Sequence, residues 1–219
     1  MLHHRISRKE LVLAQAALLV AIALQLAARN ISGDLLPDSH YIIIVIEAAL
    51  AVLIGLTALV HSDHTKRLHH ASAVILLALI SFANISALVI VLQALVTGDA
   101  AVAGQELLAA AVAIFLTNII VFGLWYWEVD SPGLTRTKWS KADKDFQFTQ
   151  QDLKNEFPSW QPEFGDYLFL SITNAVNFAP ADTRPLSRKA KLLMAAQALV
   201  SVFTLALVVA RSVSILGQG

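Results

Sequence analysis

Five long apolar stretches, nearly free of charge, constrain this chain more than any other feature. They cover residues 11–28, 41–60, 71–96, 107–127 and 192–209. An α-helix rises 1.5 Å per residue, so about 20 apolar residues cross the roughly 30 Å hydrocarbon core of a bilayer. Charged residues make up only 15% of the chain, against about 25% in soluble proteins. The sequence therefore predicts an all-α integral membrane protein, multi-pass in a cell membrane, with five transmembrane helices and the lipid bilayer as a partner.

The distribution of lysine and arginine predicts how these helices are oriented. All but Arg29 and Arg211 of the 16 lysines and arginines lie before the first stretch, between the second and third, or between the fourth and fifth. With five crossings these three regions share one side of the membrane, and short loops rich in Lys and Arg stay cytoplasmic. The charge bias therefore predicts a cytoplasmic N-terminus. The first stretch lacks a small-residue cleavage site, so we expect it to be a retained helix and not a signal peptide.

Several classes of chemistry find no support in the sequence. Cysteine is absent, which removes disulfides and thiolate metal sites, and the net charge is zero, which gives no general attraction to nucleic acid. The phosphate-binding, zinc-protease and nucleophile-elbow motifs of enzymes are missing. Four histidines share the loop at 61–70, but such spacing in a loop is more typical of solvated side chains than of a metal site. The sequence predicts no enzyme, no cofactor and no metal.

The most informative stretch begins at Glu163 and ends with the fifth apolar segment. Its first part, residues 163–177, has the composition of an apolar helix but would be only about 22 Å long, too short to cross a bilayer. A tight turn segment follows, and then a helix long enough to span. Irregular backbone at membrane depth is tolerated where protein buries it or where it lines a water-filled cavity. We therefore expect a short re-entrant helix of the pore type in addition to the five spanning helices.

Residues 164–211 resemble the pore half of two-transmembrane potassium channels. Residues 167–173 (YLFLSIT) are similar to the pore helix of that family, Pro185 matches a proline that often follows the filter, and residues 190–210 resemble the inner helix. The filter of the family aligns with six residues: Asn177, Phe178, Ala179, Pro180, Ala181 and Asp182. Residues 166–175 (DYLFLSITNA) and 181–186 (ADTRPL) also form a pattern by which the whole chain is similar to an uncharacterised family of bacterial integral membrane proteins. The resemblance implies a homotetramer, inorganic ions as partners, and a loop that enters from outside, opposite to the orientation that the charge bias predicts.

The residues aligned with the filter differ from those of a potassium filter, and the differences predict a different ion selectivity. A potassium filter presents consecutive backbone carbonyls to the ion, in a geometry that glycine permits. Ala179 and Ala181 replace both glycines, and Pro180 between them has a fixed φ and no N–H. The sequence therefore predicts a pore with weak or no selectivity for cations, in which the side chains of Asn177 and Asp182 contact the ion.

Three further polar residues complete the predicted pathway. Gln197, Ser201 and Thr204 fall near one face of the last helix, and we expect them to line the cavity, with Phe178 as a hydrophobic constriction. This reading divides the chain into a three-helix peripheral region at 1–104 and a pore-like module at 105–219, made of outer helix, polar loop, re-entrant helix and inner helix.

Two other functions fit the same residues. A non-conducting scaffold or accessory subunit on a decayed pore-loop fold would explain the lost glycines. A small transporter would use Glu47, roughly two turns into the second helix, as a proton or cation site; the same carboxylate could instead pair with a neighbouring His or Arg. The amides within the spans are expected to form interhelical hydrogen bonds: Gln15, Gln25, Asn84, Gln93 and Asn118.

Two predictions concern the aromatic residues at the end of the fourth stretch and in the polar region that follows it. Trp125, Tyr126 and Trp127 close the fourth stretch and are expected to form a belt at the lipid–water interface. Residues 145–157 mix Phe146 and Phe148 with polar residues, a composition typical of a short helix on the membrane surface.

Overall fold

The computed structural model describes residues 8–31, 39–57, 63–97, 104–130, 144–153, 155–177 and 182–216. Seven helices and two short strands lie in these ranges: α1 (Arg8–Ile31), α2 (Ser39–Thr57), α3 (Asp63–Thr97), α4 (Gly104–Asp130), β1 (Phe146–Phe148), α5 (Thr149–Asp152), α6 (Phe164–Asn177), β2 (Thr183–Pro185) and α7 (Arg188–Leu216). The all-α prediction is confirmed. Four residues of the predicted filter, 178–181, lie outside the described ranges.

The long helices coincide with the apolar stretches of the sequence. Within the described ranges, four helices are long and apolar enough to cross a membrane: Lys9–Ile31, Ala71–Leu95, Gln105–Asp130 and Arg188–Ala210. The apolar part of α2, Tyr41–Leu56, is shorter, although the whole helix has 19 residues. The prediction of a multi-pass membrane protein thus agrees with the lengths and composition of the helices.

Helix α4 is the centre of the bundle. It packs against α7, α1, α6 and α3, and α2 packs against α1 and α3 at the periphery. Large apolar side chains also cover the outside of the bundle, for example Val12, Val45, Phe82 and Leu199, each at least 46% exposed. Such surfaces are stable against lipid tails, which are as apolar as a protein core.

The main apolar cluster joins both halves of the chain. It includes Leu18 of α1, Ile54 of α2, Leu76 of α3 and Leu124 of α4, together with aromatic residues of the polar region and of α6. A second cluster, around Val91, joins α3, α4 and α7 towards the other end of the bundle.

A two-stranded sheet, which we did not predict from the sequence, organises the polar region. Strands β1 and β2 pair antiparallel, with Phe146 opposite Pro185 and Phe148 opposite Thr183. The pairing continues beyond the strands, because the N–H of Leu186 donates to the carbonyl of Asp145 (2.8 Å) and the N–H of Thr149 donates to the carbonyl of Asp182 (3.1 Å). The segment before α6 and the segment after it are thus held side by side.

Two expectations about aromatic residues are wrong. Phe146 and Phe148 do not lie on a surface helix: they are 0% and 2% exposed on a strand, because alternate residues of a strand point to the same face and this face packs on α4 and α6. Tyr126 and Trp127 are both 0% exposed, so they do not form a lipid-facing belt. Packing within the chain covers them.

Candidate functional site

Helix α6 lies unusually close to α4. A Cβ atom built on Gly123 would come within 3.2 Å of the Cα of Leu168 and within 3.3 Å of its Cδ1. Glycine permits this approach without strain, whereas any side chain would require Leu168 to shift by a few tenths of an ångström. Farther along α6, the hydroxyl of Ser171 donates to the carbonyl of Ile119 (2.6 Å). Because residue numbers rise along α6 as they fall along α4, the two helices run antiparallel, and α6 leads from the polar region into the bundle.

The side chain of Gln197 connects α4, α6 and α7. Its Oε1 accepts hydrogen bonds from the hydroxyl of Tyr126 (2.5 Å) and from Nδ2 of Asn174 (2.8 Å). Its Nε2 donates to the carbonyl and to the hydroxyl of Ser171, at 3.0 and 2.6 Å. Asn174 Nδ2 also lies 3.1 Å from the carbonyl of Met194. These polar groups are buried and satisfy one another, as a stable network away from water requires.

The residues expected to line a cavity lie in this helix contact instead. Gln197, Ser201 and Thr204 are all 0% exposed within the single chain. Asn118 of α4 donates to the hydroxyl of Ser201 (3.0 Å), and Thr204 donates to the carbonyl of Val200 in its own helix (2.7 Å). The physical reason is that polar side chains in lipid are most stable when they bond another helix.

The opposite face of α7 is apolar. Its exposed large side chains are Leu192, Leu199, Val202, Phe203, Val209 and Val213. No charged or amide side chain interrupts this face between Leu192 and Ala210, a stretch that the structure describes throughout.

Asp130, at the end of α4, anchors the polar region. Its Oδ1 accepts hydrogen bonds from the N–H groups of Asp145 (2.6 Å) and Phe146 (2.9 Å), and its Oδ2 accepts one from the hydroxyl of Tyr167 (2.6 Å). One carboxylate thus fixes the start of β1 and the first half of α6 to α4. Hydrogen bonds to a charged acceptor are about twice as strong as neutral ones.

Aromatic rings fill the space between β1, α4 and α6. Tyr167 meets Phe148 edge-on, with ring centroids 5.3 Å apart, and Phe146 meets Tyr126 in the same manner at 5.2 Å. Such edge-to-face pairs are each worth about 0.5–1.5 kcal/mol beyond the area they bury. Since these residues are at most 2% exposed, the sheet and the base of α6 form a rigid unit.

Both ends of α6 have defined polar contacts. The N–H of Glu163 donates to Oδ2 of Asp166 (2.7 Å), one half of a capping box that stabilises the first turn. Burial raises the pKa of the Asp166 carboxyl, and this hydrogen bond opposes the rise. At the other end Asn177 is exposed and Asp182 is half-buried. The backbone carbonyl of Asp182 accepts hydrogen bonds from Thr149, so β1 holds the return of the chain in place.

Glu47 lies away from this network, among the first four helices. Its side chain is 0% exposed, and neither carboxylate oxygen makes a well-formed hydrogen bond. Gln25 of α1 lies beside it and interacts with the carboxylate, but the amide nitrogen of Gln25 does not reach good hydrogen-bond geometry. The sequence identified both residues as polar positions within spans. It did not identify Thr117, whose buried hydroxyl likewise has no partner.

Sequence reasoning also missed Asp130, Tyr126 and Asn174 as organising residues. A signal for part of this network was available. Tyr167, Ser171 and Asn174 follow the i, i+4, i+7 spacing that places them on one face of a helix, and the structure buries that face against α4 and α7.

Comparisons of the chain with protein-family models, curated proteins and solved structures find no match. Among the residues that the structure describes, no three His, Cys, Asp or Glu side chains are grouped so that they could hold a metal ion.

Proposed function

We propose that the chain is a subunit of an oligomeric membrane pore in which α4, α6 and α7 serve as the outer helix, a re-entrant half-helix and the inner helix. The observation that carries the proposal is the pairing of β1 with β2. Because β1 is fixed to the end of α4 by Asp130 and β2 leads directly into α7, the chain enters and leaves the α6 region at the same end of the bundle.

The depth that α6 reaches is consistent with a half-helix. Its 14 residues amount to about 21 Å, against a hydrocarbon thickness of about 30 Å. Ser171 bonds Ile119, which precedes Asp130 by eleven residues and therefore lies about 16 Å from that end of α4. Asn177, the last residue of α6, would thus lie within the membrane thickness, whereas Asp182 lies back at the sheet, where its carbonyl accepts hydrogen bonds from Thr149. Helix α2 would provide the fifth crossing.

One such loop cannot enclose a pathway, so the pore requires several copies around an axis, and four is the number that the resemblance to potassium channels implies. The narrowest ring would be built from the residues aligned with the filter, of which the structure describes Asn177 and Asp182. Because Pro180 and two alanines replace the residues of a carbonyl filter, ions would be contacted by the side chains of Asn177 and Asp182, which predicts weak or no cation selectivity. The apolar outer face of α7 would line the inner cavity, in place of Gln197, Ser201 and Thr204, and residues 1–104 would contribute the periphery.

A second candidate function, a non-conducting scaffold, is favoured by one specific observation. The exposed face of α7 carries no polar side chain between Leu192 and Ala210. A lumen lined by such a face can lose its water, and hydrophobic constrictions close channels in this way. A scaffold would use the same face for contact with lipid or with another membrane protein.

Ion flux into liposomes separates the two candidates. The purified protein is reconstituted, its oligomeric mass is measured in detergent, and cation and anion fluxes are compared for wild type, Asp182→Asn and Glu156→Gln. Glu156 is an exposed carboxylate of the same polar region outside the proposed ring, so it is the matched control. We expect an oligomer whose cation-to-anion flux ratio falls in Asp182→Asn and is unchanged in Glu156→Gln. A monomer, or an oligomer without flux, would contradict the pore and support the scaffold.

The orientation follows from a separate experiment. The charge bias places the N-terminus and the α6 loop in the cytoplasm, whereas the resemblance to potassium channels places the loop outside. The chain has no cysteine, so a cysteine introduced at Glu156 can be labelled without background. We expect an impermeant reagent to label this cysteine only after the membrane is permeabilised. Labelling in intact cells would instead support the opposite orientation.

A further inference from the structure

Each of the first four helices contributes one polar side chain to the same interior region. These residues are Gln25 of α1, Glu47 of α2, Asn84 of α3 and Thr117 of α4. Glu47 is 0% exposed, Thr117 1% and Asn84 4%, and Gln25 is half-buried. They surround a point near the middle of the helix bundle, separate from the Gln197 network.

A small cavity of about 10 Å³ lies between these helices. Gln25, Asn84 and Thr117 line it together with apolar side chains that include Ile44. Ile44 precedes Glu47 by three residues, so the carboxylate lies about one turn away on the same face of α2. A cavity of about this size holds one water molecule when polar groups are available to bind it.

The polar atoms at this place have hydrogen-bonding capacity that the protein uses only in part. The side chain of Gln25 interacts with the carboxylate of Glu47, but neither oxygen of Glu47, nor Nε2 of Gln25, nor Oγ1 of Thr117 makes a well-formed hydrogen bond. An ionised side chain at the centre of a membrane costs at least about 2.5 kcal/mol even on the lowest scale. We therefore expect the carboxylate of Glu47 to bind a proton or a cation, and the polar atoms around the cavity to bind a small polar molecule such as water.

The charged residues of the surrounding helices do not supply that neutralisation. The side chain of Arg29, one turn from Gln25 on α1, lies over the ring of Tyr41 at 4.8 Å, and Tyr41 precedes Glu47 by six residues. Glu10 lies at the other end of α1. The charged residues of α3 fall in its first five positions, and Glu106 of α4 precedes Thr117 by eleven residues, about 16 Å along the helix.

We propose that the first four helices form an intramembrane proton-binding site. The carboxyl group of Glu47 takes up and releases a proton, and a water molecule held between Gln25, Asn84 and Thr117 relays it. In the protonated form the carboxyl O–H donates to a neighbouring polar oxygen, and on release the proton passes to the water, which transfers it to bulk water. The site is independent of the proposed pore, because α6 and the loop at 177–182 take no part in it.

Infrared difference spectroscopy of the full-length protein in lipid tests this inference. A protonated carboxyl gives a carbonyl stretching band that is separate from those of carboxylates and amides. We expect a buried carboxyl band that disappears reversibly as the pH is raised and is absent in Glu47→Gln. The band should be retained in Glu106→Gln, a matched change of an exposed carboxylate, and in Asp130→Asn, a change of another buried carboxylate. Added sodium ions should leave the band unchanged.

Three results would overturn the proposal: the absence of any buried carboxyl band that Glu47→Gln removes, a Glu47-dependent band that persists over the whole stable pH range, or the loss of that band on addition of sodium at constant pH. The last result would indicate a sodium site instead. Should Glu47→Gln not fold, the wild-type chain gives the answer through a hydrophobic carbodiimide, which modifies protonated carboxyls. Mass spectrometry should find modification of Glu47 that falls as the pH rises, and a pH-independent or absent modification of Glu47 would again exclude the site.

Discussion

Replacement of Gln197 by methionine removes the central side chain of the α4–α6–α7 contact while keeping its length and most of its volume. Two acceptor and two donor contacts disappear, to Tyr126, Asn174 and Ser171. Some partners keep other contacts: Asn174 still donates to the carbonyl of Met194, and Ser171 still donates to Ile119. The hydroxyl of Tyr126 loses the acceptor of its hydrogen bond.

The magnitude follows from these contacts. Interhelical hydrogen bonds in membrane proteins average about 0.6 kcal/mol each, so four of them amount to about 2 kcal/mol. A buried donor left without an acceptor costs a further 1–3 kcal/mol or so. Nδ2 of Asn174, 3.2 Å from the oxygen of Tyr126, is itself a donor and cannot replace the lost acceptor. We expect Gln197→Met to lower the free energy of unfolding by about 3–5 kcal/mol.

The assay is equilibrium unfolding by sodium dodecyl sulfate in mixed micelles, followed by tryptophan fluorescence. Thr204→Val is the matched control, because Thr204 is equally buried on the same face of α7 but bonds only its own helix; it should cost less than about 1 kcal/mol. A double-mutant cycle between Gln197→Met and Tyr126→Phe should give a coupling of about 0.6–1.7 kcal/mol. Equal costs for Gln197→Met and Thr204→Val, together with zero coupling, would refute the assignment of Gln197 as the central contact.

Two further predictions concern the placement of α6 and are measured by the same unfolding assay. Gly123→Ala should lower the free energy of unfolding by about 1–3 kcal/mol, because the new methyl group meets the backbone of Leu168, which cannot move alone. In the control Gly55→Ala the new methyl group has nothing within 4 Å, so stability should be unchanged or higher by up to about 1 kcal/mol. Equal effects of the two substitutions would contradict the close approach of α6 to α4. Asp130→Asn should cost about 1.5–3 kcal/mol, since one amide oxygen cannot replace two charged acceptors that serve three donors. Its effect should not add to that of Tyr167→Phe, and full additivity would show that the hydroxyl does not depend on this carboxylate.

Much of the secondary structure could be predicted from the sequence because hydropathy is a local property. A segment in lipid must satisfy all its backbone hydrogen bonds internally, so an uncharged apolar stretch of sufficient length becomes a helix whatever its neighbours are. The short helix was expected at 163–177 and lies at Phe164–Asn177 for the same reason. Neither the sheet nor Asp130 could be found in this way, since strand pairing across 37 residues, from Gln147 to Arg184, depends on contacts between distant segments.

The faces of the helices were harder to predict than their positions. In a soluble protein the buried face of a helix is the apolar one. In lipid the outside is equally apolar, so the hydrophobic pattern does not indicate which face is inside. Gln197 and Ser201 were therefore assigned to a water-filled cavity, whereas they face α4 and α6. Gln197, Ser201 and Thr204 do lie on one face of α7, and in the structure this face contacts other helices.

By itself the sequence determined that this is an all-α membrane protein, that a helix of half length precedes its last long helix, and that polar groups such as Glu47 lie within apolar stretches. Only the tertiary structure decided which groups meet: Gln25, Asn84 and Thr117 around one small cavity beside Glu47, and the strands that bring the two flanks of α6 together. The reason is that the bilayer acts on each segment separately and so can be inferred from local composition. Side-chain partners are instead chosen by the packing of several helices at once.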